Sequence, residues 1–95
     1  MRVEITLSGE IFEWRGPAPF YFLRIPEEES ALIKSIASQV TYGWGVVPAW
    51  ARIGDTRWKT SLMPKKGRFL LPLKDAVRNA EGLEVDQIIE VEIEI

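Results

Sequence analysis

The chain has 95 residues, 46% of them hydrophobic and 27% charged, with a formal net charge of −2. That length suits one domain with one core over residues 1–95, and the charge balance lacks the strong basic excess of a dedicated nucleic-acid binder. Histidine and cysteine are both absent, which excludes disulfides, thiolate nucleophiles, Ser-His-Asp relays and the usual zinc ligands.

The opening residues alternate: Val3, Ile5 and Leu7 against Arg2, Glu4, Thr6 and Ser8. This is the period of a strand with one buried face. It is not the continuous apolar run of a signal peptide, and no stretch reaches the roughly 20 apolar residues of a membrane span. A cytoplasmic protein away from the membrane is expected. Gly9 interrupts the run before Ile11, Phe12 and Trp14, so a bulge or bend is expected there, letting one long strand curl around a barrel. Arg15 to Pro19 reads as a turn, and Phe20 to Ile25 (FYFLRI) as the returning strand.

Pro26 has the backbone angle of a first helical turn, and Glu27, Glu28 and Glu29 place negative charge at the positive end of the helix dipole. Leu32, Ile33, Ile36, Ala37 and Val40 then recur at helical spacing and predict the face that packs on the sheet. Gly43-Trp44-Gly45 follows, where glycines permit a tight crossing and the tryptophan fills space at a bend or stacks on a ligand.

Val46 to Ile53 reads as a strand whose Pro48 marks an edge or bulge, and Gly54-Asp55 as a two-residue hairpin turn. In the next strand Trp58, Thr60 and Leu62 take the core phase; Pro64-Lys65-Lys66-Gly67 is the next turn, and Phe69, Leu71 and Leu73 line a further strand. Lys74 to Glu81 is a short helix with Ala76, Val77 and Ala80 inward, ended by Gly82 and Leu83 in a Schellman arrangement. Ile89, Val91, Ile93 and Ile95 alternate with Glu90, Glu92 and Glu94 in the last strand, whose outer face is acidic. About six strands with an inserted helix and a short C-terminal helix predict a mainly β fold, a small closed or partly open antiparallel barrel. Its expected core includes Val3, Ile5, Leu7, Phe22, Leu32, Ile36, Trp58, Leu62, Leu71, Val91 and Ile93.

Trp58-Lys59-Thr60-Ser61-Leu62-Met63-Pro64, Phe69 to Lys74, and Val77-Arg78-Asn79-Ala80 with Gly82-Leu83 resemble the pattern of a bacterial and archaeal family, domain of unknown function 1905. The likeness covers nearly the whole chain, including the opening strand and the Gly43-Trp44-Gly45 loop. It implies a barrel related to the double-split barrel, sometimes fused to an OmpD-associated domain, and no established activity. Where that family carries Gly-Asp before the final strand, this chain has Val85-Asp86, and valine disfavours positive φ. Arg68 to Ile93 is more loosely similar to the strand-helix-strand unit of swapped-hairpin, DNA-binding transcription regulators. From Arg68 to the chain end, however, three basic residues face seven acidic ones, a balance that repels phosphate.

Two candidate sites emerge. Arg52, Arg57, Lys59, Lys65, Lys66 and Arg68 are opposed within their span only by Asp55, with Trp50 and Trp58 nearby. Such a stripe either holds nucleic acid or an acidic partner, or is a solvated face that pairs with glutamates on neighbouring strands. Trp58, Thr60, Ser61 and Arg78, with Trp44, form the second candidate, where Arg78 either binds the charge of a small anion-bearing ligand with an apolar body or braces its helix. No catalytic or cofactor motif is present, and only carboxylates, lysines and tyrosines remain for acid-base chemistry. The sequence therefore favours a non-catalytic binding or interaction module without a cofactor, its partner a small anion or a protein rather than nucleic acid.

Overall fold

The structure is a computed structural model that describes residues 2–17, 20–40 and 45–95, the side chains of 38–40 aside. Six strands, β1 (Glu4–Trp14), β2 (Phe20–Arg24), β3 (Val47–Ile53), β4 (Thr56–Lys65), β5 (Arg68–Pro72) and β6 (Ile88–Glu94), are joined by α1 (Glu27–Val40) and α2 (Asp75–Glu81). They close into an antiparallel barrel in the order β1-β2-β5-β4-β3-β6, with β6 returning to β1. Closure pairs the ladder on both sides and removes the edges that such apolar strands would otherwise expose.

The long first strand serves two neighbours. Glu4–Glu10 pair with β6 and Glu10–Trp14 pair with β2, each in constant register, so Gly9 introduces no bulge. Its role is close approach. A Cβ there would stand 2.3 Å from the carbonyl oxygen of Arg24 and 2.4 Å from Leu23 Cδ2. Since the alternation runs unbroken through Gly9, Ile5, Leu7 and Ile11 point inward while Phe12 and Trp14 are more exposed.

The barrel interior joins Ile5, Leu7, Ile11, Leu23, Trp58, Leu62, Leu71, Val91 and Ile93 in one apolar cluster, with Val3 and Ile36 packed at its margin. Two residues expected in the core lie elsewhere. Phe22 is half-buried and stacks outward on Phe12 because Leu23 takes the inward phase of β2; an unbroken apolar run such as FYFLRI cannot declare its own phase. Leu32 is 48% exposed while Ile33 and Ala37 are buried, a rotation of the α1 face toward its C-terminal neighbours. Val40's side chain, Gly43 and Trp44 lie outside the described residues.

Ser30 anchors α1. Its buried hydroxyl donates to the Ile25 carbonyl (3.1 Å) and accepts from the Phe69 amide (3.0 Å), tying the helix to the ends of β2 and β5. On α2 only Val77 is buried, whereas Ala76 and Ala80 are exposed. The helix ends at Gly82 (φ 62°), and the amide of buried Leu83 donates to the Arg78 carbonyl (3.0 Å), the expected Schellman closure. The turn at Val85-Asp86 puts its positive φ of 74° on Asp86 and spares the valine. The β4–β5 turn is shorter than Pro64 to Gly67: Lys65 pairs with Arg68, and Lys66 (φ 50°) and Gly67 (φ 79°) alone reverse the chain, as a two-residue hairpin of the I′ kind requires. Pro48 lies outside the β3–β6 pairing, which covers only Trp50–Arg52, so its missing donor breaks no bond there.

Candidate functional site

The barrel divides the basic stripe between two regions. Arg52 donates through Nε to Glu92 Oε2 (2.9 Å), and Arg57 Nη2 meets Glu94 Oε1 (3.0 Å) while its guanidinium lies 4.0 Å from the centre of the Trp50 ring. Arg2 reaches the same Glu94 (2.5 Å). These side chains line a shallow cleft of about 330 Å³ in which Arg2, Arg52 and Arg57 are balanced by Glu4, Glu92 and Glu94. The acidic face of β6 thus pairs with Arg52 and Arg57 of the stripe, as cross-strand pairing on a sheet surface favours, while Lys59 stands exposed on β4 opposite Trp50. Lys65, Lys66 and Arg68 lie at the β4–β5 turn, away from β6.

Trp58 is buried in the barrel core, and its indole Nε1 has no hydrogen-bond partner among the described residues. Thr60, paired with Ala49, and Ser61, paired with Pro48, are half-buried farther along β4. Arg78 instead stacks 3.7 Å from the centre of the Tyr21 ring and pairs with Asp75 (2.5 Å). Tyr21 stands opposite Glu13 across the β1–β2 ladder. Hydrogen bonds from Arg15 and from Tyr21 hold the Glu13 carboxyl below the usual carboxylate range, helped by the positive charges of Arg15 and Arg78 and opposed by partial desolvation. At the other end of α2, the Thr56 hydroxyl donates to Glu81 (2.7 Å). Arg78, through Tyr21, and Glu81, through Thr56, therefore tie the short helix to the barrel, while the buried Nε of Arg78 has no hydrogen-bond partner among the described residues.

The feature that sequence reading missed lies on the outside of β1, β2, β5 and β4. Here Phe12 pairs with Phe22, which pairs with Pro72, and Trp14 pairs with Phe20. The Phe12 and Phe22 rings stack with centres 5.8 Å apart, and those of Trp14 and Phe20 tilt together at 6.1 Å. Leu70, buried yet outside the interior cluster, forms part of the lining between Arg24 and Met63, its partners on either side. With Pro64 and Lys65 these residues line a groove of about 460 Å³. Trp14, Phe20 and Met63 remain 42%, 52% and 43% exposed.

One end of the groove is basic. Phe12, Lys65 and Leu70 are shared with an adjoining notch of about 330 Å³ whose other lining residues are Arg24, Lys66 and Arg68. No carboxylate lines it. Arg24 sits 4.3 Å from the Phe12 ring centre and pairs at 3.2 Å with Glu10, and Arg68 Nε donates to the Ile25 carbonyl (3.3 Å). A signal for this face was available: extending the Ile5-Leu7 phase through Gly9 to Ile11 turns Phe12 and Trp14 outward. Among the described residues no group of three or more acidic side chains is arranged to hold a metal ion, and no helix is long and apolar enough to cross a membrane.

A family model described as Domain of unknown function (DUF1905) matches residues 8–93. No curated protein and no solved structure matches the chain.

Proposed function

The chain belongs to the DUF1905 family, and from that premise we propose that it is a cytoplasmic, non-catalytic binding module, one domain over residues 1–95, that binds through the aromatic groove on the outside of its barrel. The observation that carries this reading is the concentration of Phe12, Trp14, Phe20, Phe22 and Met63 on one outward face around Leu70. Stable soluble proteins scatter exposed apolar side chains; a contiguous aromatic surface of this kind usually has a binding purpose.

The remaining charged side chains favour support roles. Glu13 is kept ionised by its neighbours, unlike a general base poised near neutrality. Arg78 reads as the brace of α2, and Trp58, Thr60 and Ser61 as parts of the β4 scaffold.

The test is a fragment screen followed by amide chemical-shift mapping. Confirmed hits should shift Phe12, Phe20, Phe22 and Leu70 together and should weaken in Phe20→Ala. Hits that cluster instead at Arg52 and Glu92, or at Arg78, and ignore Phe20→Ala would overturn the assignment.

A further inference from the structure

We infer that the groove takes an amphiphilic anion, a small molecule with an apolar body and a carboxylate or similar head, laid with its body over Phe22 and Phe20 and its head in the notch beside Lys65 and Lys66. The inference rests on the binding reading above and adds the ligand's chemical class. Three observations carry it. The volume of about 460 Å³ lies in the range of small-molecule sites and is lined almost wholly by apolar groups, so it offers a ligand body burial and little hydrogen bonding. The charged side chain lining this groove is Lys65, at the end where the notch begins. That notch gathers Arg24, Lys65, Lys66 and Arg68 with no opposing carboxylate in its lining, although the protein as a whole is net negative.

Apolar and cationic surfaces are thus contiguous and share Phe12, Lys65 and Leu70, which fixes the polarity of the bound molecule. A neutral apolar ligand would leave the notch unused, and a small inorganic anion would leave the groove unused. A single-stranded nucleic acid is less well matched, since two of the four cations are already engaged by Glu10 and by the Ile25 carbonyl.

Paired probes test this. Octanoate and 1-octanol differ in the charged head and share the body, and both are titrated by amide chemical shifts into the intact chain. Octanoate should bind about fivefold tighter than octanol, the gain expected of one solvent-exposed charge contact. The double variant Lys65→Ala, Lys66→Ala should bring the two probes to equal affinity, and Phe20→Ala should weaken both. These three side chains are exposed, and thermal melts of the variants check that each folds. Equal affinities in the native chain, with Phe20→Ala still weakening both probes, would overturn the anionic class and leave the groove reading intact. Binding indifferent to Phe20→Ala, or no binding of either probe, would overturn both. A twelve-nucleotide oligothymidylate that bound this face tighter than octanoate at physiological salt would replace the small ligand with a nucleic acid.

Discussion

Ser30 shows how much one polar atom can decide. Its hydroxyl is the buried link between the Ile25 carbonyl and the Phe69 amide, so it satisfies two backbone groups where α1 leaves β2 and meets β5. Removing the oxygen by Ser30→Ala strands both in an apolar setting, which costs about 1–3 kcal/mol. Urea unfolding should show a loss of that size with an unchanged m-value. A loss under about 0.5 kcal/mol would mean that water replaces the hydroxyl. Gly9 acts through the atom it lacks, because any side chain there would strike the Arg24 carbonyl and the Leu23 side chain.

Among the elements, α1 offers the sharpest test of orientation. Leu32 and Ile33 are adjacent and nearly equal in size, yet Ile33 is fully buried while Leu32 is 48% exposed. Ile33→Ala should therefore cost about 2–5 kcal/mol as a buried truncation. Leu32→Ala should stay within about 0.5 kcal/mol, as surface changes do. Thermal or urea melts of the two variants decide it, and equal losses would mean that the helix is rotated. Leu71, fully buried on β5, belongs with Ile33 in this respect.

At the scale of the whole molecule the charges are sorted by face. Acidic β6 meets Arg2, Arg52 and Arg57, while the aromatic groove keeps its cations at one end. Glu13 gives this sorting a pH signature. Its folded-state pKa is depressed, chiefly by Arg15 and Tyr21, so the unfolded chain binds the proton more readily. Stability from this carboxylate is present above its unfolded pKa and is lost as pH falls through the folded value. Glu13→Gln should lower stability at neutral pH, and the difference from the native chain should vanish in acid below the carboxylate range. A difference that persists undiminished in acid would assign the effect to packing and not to charge.

The alternations at Val3–Leu7 and Ile89–Ile95, the Gly54 and Gly82 signals and the acidic start of α1 were enough to predict a mostly antiparallel barrel with two helices, because each is local chemistry with a local consequence. The phase of FYFLRI and the buried side of α1 were not decidable there, since where apolar residues adjoin, only the packing partner selects which ones turn inward. The same limit applied to function. Phe12, Trp14, Phe20 and Phe22 look like ordinary strand residues in the chain, and so do Leu70 and Lys65 some fifty residues on. Barrel closure, by setting β2 beside β5, is what joins them into one groove. It also set β6 against β3 and away from the β4–β5 turn, so Arg52 and Arg57 are neutralised while Lys65 and Lys66 remain with the aromatic face. Strand order is a property of the closed sheet, and no local spacing in the sequence encodes it.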